Sequence, residues 1–354
     1  MQKRFFTFLL CFGWLLGRAQ TAWKETAREE IVTNPTFQAC HASTLVELSS
    51  GTVLVSFFAG TREGAADVSI WLTAKKGGRW TEPVVVAEGV VSDSLRYPCW
   101  NPVLFEAKDG TLFLFYKVGP NPREWWGMVR TSADEGKTWT APRRLPPGIL
   151  GPIKNKPVQM ADGTILSPSS VESERAWQVF MERSTDGGAT WTRVPVDTGS
   201  AYRVIQPSIL QHGGDTVQIL CRSDADRVLT AWSYDGGLSW TPFSKLAVLN
   251  PNSGVDAVTL KSGQQLLVYN PTVRGKDWWN NRGKLNVAVS ADGVHWKAVA
   301  VLENGSTEEY SYPAVIQAKD GKVHITYTAD RKNIRYVVLE KGPATGQRGN
   351  KKKK

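Results

Sequence analysis

Ser132-Ala133-Asp134-Glu135-Gly136-Lys137-Thr138-Trp139 decides the fold, because its pattern of Ser-x-Asp-x-Gly-x-x-Trp returns at Ser184 to Trp191 and again at Ser233 to Trp240. A copy one residue shorter runs from Ser290 through Asp292 to Trp296, and a degenerate one from Thr73 to Trp80 carries Lys75 in place of the Asp. Such a stretch suits a hairpin loop. The Asp carboxylate accepts backbone N–H bonds inside the loop, the Gly supplies a positive φ, and the Trp packs between neighbouring sheets. The carboxylates of Asp134, Asp186, Asp235 and Asp292 are accordingly read as structural, not catalytic.

A second element recurs ahead of these loops, a turn glycine followed by an alternating apolar strand. Its six copies are Gly51 before 52–58, Gly110 before 111–117, Gly163 before 164–170, Gly214 before 215–222, Gly263 before 264–270 and Gly321 before 322–328. The spacings of 59, 53, 51, 49 and 58 residues each leave room for about four strands, the content of one propeller blade. The pattern predicts an all-β, six-bladed β-propeller. The sixth unit ends with Ile334 to Leu339 and has no Asp loop, so the stretch around Glu30 is predicted to supply its outer strand and close the ring, which removes exposed sheet edges. A tandem pair of β-sandwiches would need a break in the spacing and a central linker, and neither is present.

Composition agrees. Fifteen Trp, 32 Gly and 19 Pro in 354 residues, with few stretches of helical periodicity, fit many short strands joined by tight turns. Lys3 and Arg4 precede an apolar run from Phe5 to Leu16 and then Gly17-Arg18-Ala19, which suits cleavage before Gln20. Residues 1–19 are thus read as the signal peptide of a secreted or periplasmic protein, since an apolar run of about twelve residues falls short of the roughly twenty that a membrane span needs. Of the net charge of +10, three units lie in that segment and five in Arg348 and Lys351 to Lys354, leaving about +2 on a folded domain of residues 20–343. The basic tail, 344–354, has no apolar residue able to pack and is read as disordered. No nucleic-acid partner is expected from so small a residual charge. Of the four cysteines Cys11 lies in the signal segment, and the three that remain after its removal, Cys40, Cys99 and Cys221, are too few, and odd in number, for a disulfide framework. They are read as packed thiols, with a Cys40–Cys99 bridge between neighbouring blades as the alternative. No Cys/His spacing suggests a metal, and no cofactor is expected.

In a propeller the innermost strand of each blade begins near the axis, and the loops at one end of the axis form a shallow cup. These strands are expected to start near His41, Asn101, Lys156, Gln206, Asp256 and Tyr310. The loops leaving the second strands add Arg62, Glu63 and Asp67, then Lys117, Glu172, Arg222, Arg274 and Tyr327. A lining with several Arg and Lys suits an anionic ligand. Trp100, Trp125, Trp126, Trp278 and Trp279 are available to stack on sugar faces or to pack between blades. His41 reads either as a packed residue or as a general base, neutral at pH 7.

Together with the segment from Ser56 to Val68, which contains Arg62-Glu63-Gly64-Ala65-Ala66-Asp67, these loops and the six-fold spacing resemble the sialidase (neuraminidase) superfamily, specifically its BNR-repeat sialidase-like members, over about residues 36 to 340. Sialidases hold the substrate carboxylate with three arginines, use a loop Asp as general acid/base and attack with a Tyr assisted by a Glu. The resemblance implies Asp67 as acid/base with Arg62 beside it, and Tyr310 as nucleophile in Glu309-Tyr310-Ser311-Tyr312-Pro313. It implies Arg282 as one clamp arginine and Arg222 or Arg227 as another, with the choice between those two open. Glu63, Asn101, Lys117, Lys156, Glu172, Gln206, Asp256 and Tyr312 complete the expected substrate-binding set. Two departures touch the chemistry: the first clamp arginine is absent, with His41 near its place, and the Glu that activates the Tyr reads Gln206. A phenol near pKa 10 then needs His41, Glu309 or another group to take its proton.

The expected function is that of a monomeric, exported, exo-acting glycoside hydrolase that removes a terminal acidic sugar, sialic acid or a related ulosonic or uronic acid. A polysaccharide lyase or rhamnosidase-type enzyme using His41 is one alternative, and a non-catalytic glycan-binding propeller is another.

Overall fold

Short strands with one apolar face cannot bury it alone, and here they pair into antiparallel sheets, five of four strands and one of five, that pack face to face around an axis. The computed structural model describes residues 23–174, 176–277 and 280–342. The signal segment, the basic tail, Trp278 and Trp279 lie outside the described residues. Blade 1 comprises Ala39–Glu47, Val53–Gly60 and Ser69–Lys76, with Arg79–Trp80 and Val84–Ala87 both pairing the third strand. Blade 2 is Cys99–Glu106, Leu112–Val118, Trp126–Ser132 and Arg143–Arg144; blade 3 is Val158–Gln159, Ile165–Glu172, Trp177–Ser184 and Thr192–Val196. Blade 4 is Val204–Gln211, Val217–Ser223, Arg227–Ser233 and Ser244–Leu249; blade 5 is Asp256–Thr259, Gln265–Tyr269, Lys284–Ser290 and Lys297–Asn304. Blade 6 takes Tyr310–Gln317, Val323–Ala329 and Asn333–Lys341 from the end of the chain and its outer strand, Trp23–Glu30, from the beginning. The six-bladed propeller is closed as the spacing predicts, and among the described residues no helix is long and apolar enough to cross a membrane.

The core is divided among the seams. Six hydrophobic clusters each join two neighbouring blades, from Leu54, Ile70, Leu104 and Leu114 between blades 1 and 2 round to Val55, Phe57, Ile334 and Tyr336 between blades 6 and 1. The Asp loops serve these seams. In the first, Asp134 accepts bonds from Ser132 Oγ (2.8 Å), Thr138 N (2.8 Å) and Thr138 Oγ1 (2.7 Å), while Gly136 at φ 81° carries the chain past Leu54 and Leu112 and Trp139 packs in the seam between blades 1 and 2. The loops of Asp186, Asp235 and Asp292 repeat the arrangement. In the degenerate copy Lys75 instead pairs with Glu29 of the closing strand at 2.6 Å, and Trp80 Nε1 donates to the same carboxylate at 2.7 Å. Cys40, Cys99 and Cys221 are free, buried thiols. The Cys40–Cys99 bridge is not formed, because each sulfur packs in a different seam.

Candidate functional site

The strands nearest the axis share a local irregularity. The residue nine ahead of the turn glycine is Ala42, Asn101, Lys154, Gly254 or Tyr312, and Gln206 stands eight ahead of its own. Ala42, Asn101, Gln206 and Tyr312 all have positive φ, at 54°, 38°, 55° and 53°. The pairing register slips at each of these four, where a bulge bends the strand and re-aims a side chain. In blades 2, 4 and 6 the re-aimed side chain faces the mouth of the propeller.

That mouth holds a cavity of about 290 Å³ lined by Glu63, Trp100, Asn101, Pro122, Trp125, Glu172, Trp177, Gln206, Arg222, Asn252 and Tyr312. Beside it a more polar groove of about 500 Å³ runs between blades 5 and 6, past Asn281, Arg282, Thr307, Glu309 and Arg331. A chain of polar contacts forms the wall between the two. Arg222 Nη1 donates to the Tyr312 hydroxyl at 2.8 Å and Arg222 Nε to Asn252 Oδ1 at 2.7 Å. Arg282 Nη2 donates to the Asn252 carbonyl at 2.9 Å and pairs with Glu309 at 3.3 Å. Arg331 Nε meets the other oxygen of Glu309 at 2.8 Å, and its Nη1 is ion-paired with Glu63. Three guanidinium groups are thus gathered at the axis. Burial and Arg222 lower the pKa of Arg282. Burial alone would raise that of Glu309, but its bonds to Arg331 and Ser311 and the charge of Arg282 hold it below the ordinary carboxyl value.

The floor beneath is cationic. Lys154 is buried and sends its three N–H donors to Asn155 Oδ1, the Val255 carbonyl and the Pro313 carbonyl. Burial pulls its pKa down to about 7, yet three oxygen acceptors are a set only the ammonium can satisfy. His41 lies under the Tyr312 ring, centroids 4.2 Å apart, and is 2% exposed. Burial, with Arg331, Arg282, Lys154 and Arg222 nearby, pushes its pKa well below 6.5, so the imidazole is neutral.

The structure therefore brings Glu63, Asn101, Glu172, Gln206, Arg222 and Tyr312 to the cavity and Arg282 and Glu309 to the adjoining groove, and of the two candidate arginines it is Arg222 that lines the cavity. Arg227 donates to the neighbouring Asp226 carbonyl and is not among the residues that line the cavity. Several expected site residues are placed elsewhere. Of the two tyrosines it is Tyr312 that lines the cavity, whereas the Tyr310 ring packs in the seam between blades 5 and 6, against Tyr327 and beneath Arg335. Asp67 does not line the cavity, because its carboxylate accepts bonds from Thr61 N (2.8 Å) and Thr61 Oγ1 (2.6 Å), the latter lowering its pKa. Arg62 is exposed at a small crevice beside Glu63 and Arg331. Lys117 is wholly buried against the Pro152 carbonyl, with its pKa lowered by burial to about 7. Lys156 and Asp256 pair at 2.9 Å, and Asp256 also accepts bonds from Ser208 and Val315 N, so the two stitch blades 3 to 6 together and do not face ligand. His41 does not line the cavity with Tyr312 but the small crevice shared by Arg62, Glu63 and Arg331.

Arg331, Asn252, Lys154 and Trp177 belong to the mouth and were not expected there. Lys154 carried a usable signal, its place nine residues before Gly163. Arg331 stands at φ 55° in the turn between the second and third strands of blade 6, a place that neither of the sequence repeats marks.

A family model described as a BNR repeat-like domain matches residues 51–325. A search of curated proteins returns no match. Among solved structures, a protein of unknown function from Dyadobacter fermentans superposes with a TM-score of 0.73 at 18% identity, covering 90% of this chain and 99% of its own. NanB sialidase from Streptococcus pneumoniae gives 0.68 at 13% identity over 88% of this chain and 70% of that one. Trypanosoma rangeli sialidase gives 0.67 at 17% identity over 88% and 59%. At these identities the likeness is one of fold, and with more than half its length matched the chain belongs to the BNR repeat-like domain family, a sialidase-like six-bladed propeller.

Proposed function

We propose that the protein is an exported glycoside hydrolase that removes an acidic sugar, with Tyr312 as nucleophile. The observation that carries this reading is the Arg222 guanidinium 2.8 Å from the Tyr312 hydroxyl, at the edge of a cavity walled by Trp100, Trp125 and Trp177. Arg222 donates to the oxygen that would attack, and Arg282 and Lys154 add positive charge close by. Gln206 has no basic atom, so the phenol proton leaves to water in the cavity and Tyr312 attacks as phenolate. Arg222 receives the sugar carboxylate from the cavity, and Arg282 and Arg331 add positive charge behind it, Arg331 in place of the absent clamp arginine. The indole faces stack on the ring.

One observation favours a second reading. Gln206 Nε2 stands 3.4 Å from the Tyr312 hydroxyl where a carboxylate would serve the displacement better. An amide and an arginine that neutralise a uronate, beside a phenolate that removes a proton next to the carboxylate, would support β-elimination. Sialosides and uronate-capped oligosaccharides incubated with wild type and Tyr312→Phe separate the two. A saturated free sugar that depends on Tyr312 supports hydrolysis, an unsaturated product absorbing in the near ultraviolet supports elimination, and binding of the oligosaccharides without either product refutes both.

A further inference from the structure

A displaced sugar oxygen needs a proton, and the two carboxylates nearest in type to that task are engaged elsewhere: Asp67 with Thr61, and Glu63 with Arg331. We infer that Glu172 is the general acid of this site, donating to the leaving oxygen in the first half-reaction and taking the proton back from water in the second; this rests on the hydrolase reading above. Glu172 ends the strand Ile165–Glu172 of blade 3 and lines the same cavity as Tyr312, Arg222 and Trp177. Its carboxyl makes no hydrogen bond or ion pair with another described residue, which leaves it to the cavity. Burial raises its pKa, and Arg222, Arg123 and Arg203, the charged groups that face it, pull the other way without cancelling that rise. A carboxyl whose acid form is favoured by burial, at the edge of a cavity that also holds the nucleophile, suits the task of a general acid.

The step balances. The Tyr312 phenolate gives an electron pair to the anomeric carbon, the glycosidic bond breaks with its pair on the leaving oxygen, and that oxygen takes the Glu172 proton. Water then attacks the anomeric carbon, its proton returns to the Glu172 carboxylate, and the pair of the carbon–Tyr312 bond returns to the phenolate. Glu63 remains with Arg331 throughout.

The test compares nitrophenyl sialosides and uronides with the corresponding sugar-linked disaccharides, using wild type, Glu172→Gln and Glu172→Ala. Nitrophenolate leaves without a proton, so Glu172→Gln is expected to lose about 10²–10⁴-fold in kcat/KM on the disaccharides but less than about tenfold in kcat/KM on the nitrophenyl glycosides, with kcat lowered on both because hydrolysis of the Tyr312 intermediate needs the same carboxylate, and to lose the alkaline limb of the wild-type pH profile. Azide added to Glu172→Ala is expected to restore turnover of the nitrophenyl glycosides as the glycosyl azide, a readout that a merely structural glutamate would not give. Equal losses in kcat/KM on both substrate classes with the alkaline limb intact would overturn the assignment of Glu172 while leaving the hydrolase standing. A wild type that turns over neither class overturns the hydrolase reading and this inference with it.

Discussion

Glu309→Gln removes the negative charge that Arg282 and Arg331 share and keeps its shape. The Arg282 side chain is 0% exposed and that of Glu309 18%, so the variant leaves a buried guanidinium short of its counter-charge. Removing one partner of a buried pair costs about 3–5 kcal/mol, and the partial exposure of Glu309 puts the value here at about 2–3 kcal/mol. An unfolding entropy of about 2.1 cal/mol/K per residue over about 320 ordered residues converts this to a fall in Tm of about 3–4 °C. The pH dependence has a definite sign. The native Glu309 carboxyl sits below its ordinary 4.5, so its contribution is complete above that value and is lost as pH falls through the lower native value. Calorimetry at neutral pH and at a series of values below 4.5 should show wild type and variant well apart at neutrality and converging in acid. A difference under about one degree at neutrality, or one that widens on acidification, would refute the wall of charge described for the mouth.

Tyr312→Phe is expected to lower turnover by about 10³-fold or more, whereas Tyr310→Phe, altered in the seam alone, should retain activity within a few-fold. The same Tyr312 variant leaves an Arg222 N–H without its acceptor and should unfold about 1–3 kcal/mol more easily by denaturant titration. Gly254→Ala puts a Cβ 2.9 Å from Lys154 Cε, displacing the ammonium from its carbonyls at a cost of about 1–3 kcal/mol, again read by denaturant titration. Glu29→Ala strips Lys75 and Trp80 of their shared acceptor at the closing seam; thermal unfolding should begin earlier, and hydrogen exchange in 23–30 should accelerate ahead of the other blades.

The fold was legible because its signals are local and repeated. An Asp that caps its own loop, a Gly that turns it and a Trp that fills a seam need no knowledge of distant residues, and the five spacings between turn glycines count the blades. The mouth was less legible, for reasons visible at single residues. Tyr310 and Tyr312 are two apart and would share a face of a regular strand, but the bulge with Tyr312 at φ 53° turns only one of them to the axis. The dipeptides Asn101-Pro102, Gln206-Pro207 and Tyr312-Pro313 mark that bulge in three blades, a pattern open to reading from sequence. Asp67 has the right side chain at a plausible place, and only coordinates reveal that Thr61 captures it. Lys117 follows a strand of apolar residues into the interior and is indistinguishable in sequence from a rim lysine.

The closing strand has a consequence for how the molecule is made. Among the described residues the only backbone ladder of Trp23–Glu30 is the one with Asn333–Lys341. On a ribosome adding about 5–20 residues per second, the first strand is finished roughly 15–60 s before its partner exists. Through that interval the nascent chain carries an unpaired edge, and blade 1 lacks the neighbour that covers Val55 and Phe57. Completion is therefore an all-or-nothing event late in biosynthesis: a chain stopped short of residue 333 has five blades' worth of sequence and no lock. Such fragments should be the species that proteases and chaperones find.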